Sequence, residues 1–397
     1  MDGLPLIDPV ITSNPPDGFL LREAGPGSHK LPFAIAACHA LNAAERVDFE
    51  APTRTPGMKI ALDVMGGDHA PQNPIGGVKL ALETLPQVEK IFLVGVPDVI
   101  ERELKAQGVS SSKLEIVPAS QVVDMSDSGL DAVRKKKDSS ISRAVDLVKE
   151  GKADAVVSAG HTGAAVTASL IKLRTLPHIE RPAIVAIMPS LTKNWLLIDA
   201  GANPDSEPQH LVQNAIMGTA FARHVLGRAE PVVGLMSNGT EEEKGNALCK
   251  ETGKLLRHTK GLNFRGNVEG HDIWEDPPDV VVCDGFTGNI ILKTAEALAH
   301  AMFAMIKREI MAGTVTKIGA MLAKPAFKRV HQQTSADEAG GMPLLGLNGI
   351  TIIAHGGASP YAMKNAIRQA CESIKHQINP HIEAAATQHS ILNHAHA

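Results

Sequence analysis

From Met58 onward the chain alternates between short apolar runs and segments of helical period. The runs read KIALDV, IFLVG, LEIVP, ADAVVS, AIVAIM, WLLIDA, VVGLM and DVVVCDG, with helical stretches such as Pro74 to Leu85, Ser140 to Glu150 and Glu207 to Leu226 between them. Runs this apolar predict strands buried on both faces. Their alternation with helices predicts an α/β fold with a doubly wound, mostly parallel, Rossmann-like sheet. Many runs end in small polar turns: MGGDHAP at Met65 to Pro71, SAGHTG at Ser158 to Gly163, DAGANPD at Asp199 to Asp205, SNGTEEEKGN at Ser237 to Asn246 and DGFTGN at Asp284 to Asn289. Ligands of open α/β sheets sit beyond the carboxyl ends of the strands, so these turns are expected to line one crevice on one rim.

The stretch Arg134 to Gly163, RKKKDSSISRAVDLVKEGKADAVVSAGHTG, concentrates these features. A basic run meets two serines at a helix start, the helix closes at Gly151, and a short strand delivers SAGHTG. A helix start and a glycine-bearing turn both offer backbone N–H groups to an anion, which predicts a phosphate-sized pocket. The plainer reading makes Lys135, Lys136 and Lys137 a solvated face and SAGHTG an ordinary strand-to-helix turn. Neither motif decides the matter alone.

Composition narrows the class. The 397 residues are 44% hydrophobic but only 3% aromatic, so the core must be aliphatic, and a single large α/β domain is within the length range. A net charge of −4 argues against nucleic acid as a partner and requires a local basic patch for any acidic one. Cys38, Cys249, Cys283 and Cys371 are widely spaced without a CxxC pair, which disfavours zinc and disulfides and suits a cytoplasmic protein. No apolar run of the ~20 residues needed to cross a membrane is read, nor a signal peptide. Motifs of P-loop, dinucleotide, serine-hydrolase and zinc-protease sites are missing too. Asp68 and His69 are conceivable metal ligands, but on a glycine turn they are expected to bond backbone, and neither metal nor cofactor is expected.

Residues 1–57 hold 8 of the 25 prolines and show neither period, so they read as an extension, disordered apart from a possible helix over Leu31 to Val47. Residues 58–380 form the predicted domain, and 381–397, with His381, His389, His394 and His396, read as a flexible tail.

IALDVMGGDHAPQNPIGG, RKKKDSS, ADAVVSAGHTGA, LPHIERPAI, LIDAGANPD, FRGNVEGHDI, VVVCDGFTGNIILKT and GMPLLGLNGI follow one another between Met58 and His376. In that order they resemble PlsX, the acyl-carrier-protein:phosphate acyltransferases of bacterial phospholipid synthesis. VVSAGHTG, LMSNGT and DGFTGNIILK are also similar to stretches of phosphate acetyl- and butyryltransferases. The resemblance implies reversible transfer of a fatty acyl group from acyl-carrier protein to inorganic phosphate, giving acyl phosphate for phosphatidic acid synthesis. It also implies a homodimer and an isopropylmalate dehydrogenase-like sheet with a protruding helical pair. Three departures stand out: His161 where the family usually has Asn, Ser128-Gly129-Leu130 in place of a Pro-Ala pair, and SNGTEEEKGN for an IGEEEIKGN-like stretch.

Phosphate is itself the nucleophile in such a transfer, so no Ser-His or Cys-His pair is required. The site must orient phosphate, stabilise the carbonyl oxyanion and assist the departing thiolate. Lys136, Ser139 and Ser140 are assigned to phosphate with the turn residues Ser158, Gly160, His161, Thr162 and Gly163. Gly66, Gly67, Asn203 and Gly288 join them from the other turns. Asn289 and Lys293 are assigned to phosphate or oxyanion, and His355 to protonating the thiolate. Asp63 and Asp284 are assigned to orienting the cations. An acidic carrier protein is expected to dock on Arg134, Lys135 and Arg143. Two other classes remain open: a dehydrogenase of the isopropylmalate type and a non-catalytic acyl or phosphate binder.

Ile306 to Val330 reads as two basic amphipathic helices, broken near Gly313 and ended near Pro325. Ile318, Met321, Leu322, Lys324, Phe327 and Lys328 are expected on an anionic membrane surface, passing product to a membrane glycerol-3-phosphate acyltransferase. A surface helix pair or a dimer contact is the competing expectation.

Overall fold

A computed structural model describes residues 57–394 except 125, 126 and 128, with only the backbone over 391–394. The extension and its Leu31 to Val47 segment lie outside the described residues. The first half runs β1 (Met58–Asp63), α1 (Gln72–Thr84), β2 (Val88–Gly95), α2 (Pro97–Gln107), β3 (Leu114–Pro118), α3 (Gly129–Lys135), α4 (Ser140–Lys149), β4 (Ala155–Ser158) and α5 (Thr162–Leu173). There follow β5 (Ala183–Met188), β6 (Trp195–Ile198), α6 (Pro208–His224), β7 (Val232–Met236), α7 (Ala247–His258), β8 (Asn263–Val268), α8 (Asp272–Glu275) and β9 (Val280–Val282). The chain closes with α9 (Gly285–Ala312), α10 (Thr314–Thr334), α11 (Ala336–Ala339), β10 (Met342–Leu345), β11 (Ile350–Ile353), α12 (Pro360–Lys375) and α13 (Ile378–His394).

The strands form one 11-stranded sheet in the order β3-β2-β1-β4-β11-β10-β5-β6-β9-β7-β8. Side chains alternate across it as the period of a strand requires. Ala61, Val156, Leu197 and Val281 meet α4, α5 and α9 on one face. Ile60, Leu62 and Val157 meet α1 and α12 on the other, where Val185, Leu196 and Val280 meet α6. The predicted doubly wound, mostly parallel architecture is the observed one.

The single rim is not. β10 runs antiparallel to both β11 and β5, and β5 antiparallel to β6. Three successive reversals point β6, β9, β7 and β8 opposite to β1, β4 and β11. MGGDHAP, SAGHTG and the turn after β11 therefore share one edge, while DAGANPD, SNGTEEEKGN and DGFTGN lie at the other. The segment Met342 to Ile353 supplies the middle of this arrangement, with Leu344, Leu345 and Leu347 buried at the centre of the sheet.

Three further expectations change. The tail read as flexible from 381 is helical to His394: Ile378, Ile382 and Ala386 are buried against α6, and the His381 ring stacks on His224 at 3.5 Å. The helical pair does break at Gly313, but α10 continues through Pro325 to Thr334, with no buried residue. And α9, at 28 residues, is long and apolar enough to cross a membrane, where no such run was read. Its start is committed elsewhere, however. A Cβ at Gly288 would collide with the Asp199 carbonyl, and Leu292 sits in the core. Beyond it, Lys293, Glu296, Lys307, Arg308 and Glu309 make the remainder a surface helix.

Candidate active site

The chain leaves β1 for β2 and β3 on one side, then returns to β4 on the other side of β1. That reversal of winding is a topological switch point, where a crevice opens beyond the carboxyl ends of the two strands. Asp63 and Ser158, register partners at those ends, form its floor. Met65, Gly66, Val122, Val123, Ser140, Ile141, Gly160, His161 and Ala164 complete the lining around a cavity of about 10 Å³. The helices α4 and α5 both start here, so two positive dipole ends face one small volume.

Asp63 ties the walls together. It is 2% exposed, and burial raises its carboxyl above the usual range against the hydrogen bonds of Ser140, Ser158, Met65 and Gly66. Ser158 Oγ donates to it at 2.7 Å and accepts the Gly160 N–H at 3.1 Å. The Ser158 proton is thus spent on the frame. A Cβ at Gly66 would lie 2.6 Å from Asp63 Oδ2 and 2.7 Å from the Gly160 nitrogen, so only glycine lets these turns close.

Ser139, the residue before α4, is 1% exposed, and its hydroxyl has no partner. A buried hydroxyl left unpaired is costly, and this one sits at a helix start beside the crevice. His161 caps α5 through Nδ1, which accepts the Ala164 N–H at 3.1 Å. The imidazole nitrogen takes the acceptor role of an asparagine side-chain oxygen. This is how histidine serves at a position where the resemblance leads one to expect Asn, and it leaves Nε2–H as a donor. Thr162 and Gly163 form the first turn of α5.

Lys136 is occupied. Its Nζ donates to Asp127 at 2.6 Å, to the Val122 carbonyl at 2.8 Å and to Asp124 at 3.3 Å. The Asp127 bond pushes the ammonium up and holds the carboxylate down. Of the basic rim, Arg134 is exposed, while Lys135 pairs with Asp131 and Arg143 with Asp138, each at 3.3 Å.

The turn after β11 reaches the same edge. The Gly356 carbonyl accepts the Asp68 N–H at 2.8 Å, and a Cβ at Gly67 would lie 3.0 Å from that oxygen. His355 in this turn meets Lys293 of α9, Nε2 to Nζ 3.2 Å. The helix α9 starts at the far edge and crosses the sheet face, so two assignments made separately from sequence become one pair.

Other assigned residues have framework roles. Asn203 gives its amide N–H groups to Pro182 O and Asp199, Asp284 caps α9 by accepting from Thr287, and Gly288 packs on the Asp199 backbone. All belong to the far edge. Asn289, exposed, lies against Gly201. Asp199 carried no assignment, yet it is buried and accepts the N–H groups of Ile184, Gly201, Ala202 and Asn203. Its place at the head of DAGANPD was the available signal. Cys283 and Cys371 are buried, and the Cys371 thiol is pushed up to about 12, chiefly by burial, so neither is an accessible thiolate nucleophile.

The sheet is shared with two solved phosphotransacylases. The phosphotransacetylase from Streptococcus pyogenes superposes with a TM-score of 0.55 at 18% identity, over 81% of this chain and 94% of that one. A branched-chain phosphotransacylase from Enterococcus faecalis V583 gives 0.53 at 14%, over 80% and 99%. At such identities the likeness is one of fold. Sequence relatives fix the class, an acyltransferase acting with phosphate. The phosphate acyltransferase of Akkermansia muciniphila is 50% identical over 331 residues, 82% of this chain and 95% of its own length. That of Pelobacter propionicus is 46% identical over 336 residues, 84% and 96%. The chain belongs to the family described as fatty acid synthesis protein, the PlsX family, whose pattern matches residues 58–381.

Proposed function

We propose that this enzyme transfers a fatty acyl group from an acyl-carrier-protein thioester to inorganic phosphate, reversibly and without metal or nucleotide. The observation that carries the reading is the convergence of two helix starts on the switch-point crevice, with Ser140, Gly160 and His161 in its lining. Phosphate seats there against Ser139, Ser140, His161 Nε2–H and the α5 turn, and Lys136 joins when it leaves its carboxylates. An oxygen of HPO₄²⁻ attacks the thioester carbon, the C–O bond forms and the C–S bond breaks. The proton that phosphate brings is balanced by the one the thiolate takes, so the products are acyl phosphate and free thiol. His355, paired with Lys293, gives the thiolate its proton. The acyl phosphate feeds phosphatidic acid synthesis.

Thiol release on mixing acyl-carrier-protein thioester with phosphate is the direct test. Release should require phosphate and survive a chelator, and Ser139→Ala should raise the phosphate requirement while the protein stays folded. Loss of release with chelator and its return with a divalent ion would sink the mechanism. An acidic carrier docks on the rim of Arg134, Lys135 and Arg143.

The helical pair supports a second element of the proposal. Leu322 is 81% and Met321 68% exposed, and Ile318, Phe327, Lys324 and Lys328 are exposed on the same helix. An apolar and basic surface of this kind suits an anionic membrane, from which acyl phosphate reaches a membrane glycerol-3-phosphate acyltransferase. The same surface is available to a second copy in a homodimer. Flotation with anionic liposomes should carry the wild type up and leave Leu322→Glu below. Equal flotation of both, or equal flotation with neutral lipid, would return the pair to an intersubunit or structural role.

A further inference from the structure

We propose that Glu296 is a positioning residue for the acid step, holding Lys293 and His355 in the arrangement that presents the His355 Nε2–H to the departing thiolate. The inference rests on the reading of His355 given above.

It starts from a conflict in hydrogen bonding. The Gly357 N–H points at His355 Nδ1, 3.2 Å away, so Nδ1 carries the lone pair and the ring proton stands on Nε2. On that side Lys293 Nζ lies at 3.2 Å. An ammonium has no lone pair to accept the ring proton, so two N–H groups would face each other. An acceptor that draws the ammonium off Nε2 relieves the conflict, and Glu296 stands within ion-pair range of both groups. Its Oε2 lies 3.6 Å from Lys293 Nζ and 4.0 Å from His355 Nε2.

The placement follows from the helix. Glu296 stands three residues after Lys293 on α9, so both side chains emerge on one face. Leu292 and Ala295 pack against the core and fix the rotation of that face toward the turn after β11. Asp68 also stands by this turn: its carboxylate would lie 3.4 Å from a Cβ at Gly356 and 3.6 Å from one at Gly357, a point 3.7 Å from His355 Nδ1. Asp68 thus serves the Nδ1 side of the ring and Glu296 the Nε2 side. When the ammonium moves from Nε2 onto the Glu296 carboxylate, the Nε2–H becomes available to sulfur. In the transfer the half-exposed ring takes a proton from solvent on Nδ1 and lets go of the Gly357 N–H, and as the C–S bond breaks with its electron pair on sulfur the imidazolium gives its Nε2 proton to that sulfur. The ring is left a neutral imidazole, and the proton lost by phosphate as it becomes acyl phosphate returns to solvent.

The leaving group supplies a readout that a merely structural residue would not move. An alkyl thiolate needs a proton as it departs, whereas a thiophenolate leaves without one. Turnover of an alkyl acyl thioester and of the matching thiophenyl ester, both used by the wild type, gives the reference ratio. Glu296→Ala should lower kcat for the alkyl ester roughly 10- to 100-fold, leave the thiophenyl ester within about twofold, and not change the KM for phosphate. Glu296→Gln, which keeps an acceptor oxygen and the side-chain volume, should recover part of the alkyl rate, and it serves as the test variant if the alanine protein melts early. Equal losses with both esters, or a raised phosphate KM, would overturn the proposal. If Glu296→Ala changes nothing while His355→Gln is selective for alkyl esters, Glu296 is dispensable and this inference alone falls. If His355→Gln shows no selectivity, the reading of His355 falls first and takes the inference with it.

Discussion

His355→Gln is expected to slow release of an alkyl thiol by ~100- to 10,000-fold, the usual contribution of a positioned general acid, and to spare a thiophenyl ester. Glutamine keeps an N–H near the position of Nε2 but cannot give the proton away. The pair with Lys293 at 3.2 Å and the bond from the Gly357 N–H to Nδ1 are lost with the ring, but backbone bonds such as Asp68 N–H to the Gly356 carbonyl still hold the turn after β11, so the fold should survive. Phosphate binding, assigned to the switch-point crevice, should be nearly unchanged. The measurement is kcat with each ester at saturating phosphate. An alkyl ester rate within threefold of wild type would remove His355 from the acid role and leave Lys293 as the candidate.

The second large effect concerns Lys136. Lys136→Ala should cut kcat/KM for phosphate on the order of 100-fold, the typical loss of one donor to a developing or bound oxyanion. Asp127→Asn should do the reverse, lowering the phosphate KM by roughly two- to fivefold, because a partly solvated ion pair competes only weakly. The opposite signs follow from the bonds of Lys136 to Asp127, Asp124 and the Val122 carbonyl. These contacts use the donors that the anion would take, and Val122, whose carbonyl accepts one of them, lines the crevice. Anion binding and the Asp127 pair are thus alternatives. If Lys136→Ala and Asp127→Asn both raise the phosphate KM, the ion pair is a needed support and Lys136 acts as a strut. Unchanged phosphate kinetics in both would return the basic run to a solvated face.

Parts of the site were visible in sequence for a local reason. Ser139, Ser140 and the SAGHTG turn belong to one strand-to-helix neighbourhood, and a helix start makes the same N–H groups available wherever it is placed. The capping role of His161 was within reach of the same argument, because position fixes the cap and only chemistry had to be matched. Glu296 gave no signal of its own. An acidic residue three after a lysine on a helix is the commonest kind of surface pair, and its significance comes from a turn 59 residues further on. Asp124 and Asp127 were similarly unremarked, since an acidic cluster ahead of a basic run looks like ordinary solvated charge.

What the sequence determined by itself are the properties carried by neighbouring residues: strand and helix type from hydrophobic period, an aliphatic core, the break at Gly313, and the family through motifs in fixed order. What it left to the tertiary structure is everything that depends on strand direction and long-range pairing. The reversals at β10, β5 and β6 cannot be read from a run such as PLLGL, because an apolar strand looks the same in either direction and its neighbours lie far off in the chain, Leu344 opposite Ile184. That one arrangement divides the glycine turns between two edges, makes framework of Asn203 and Asp284, and sends α9 across the sheet to bring Lys293 to His355 from 62 residues away. The C-terminal helix follows the same logic. Its pattern of Ile378, Ile382 and Ala386 is too weak to predict a helix alone, and the face of α6 that buries it supplies the stability its sequence lacks.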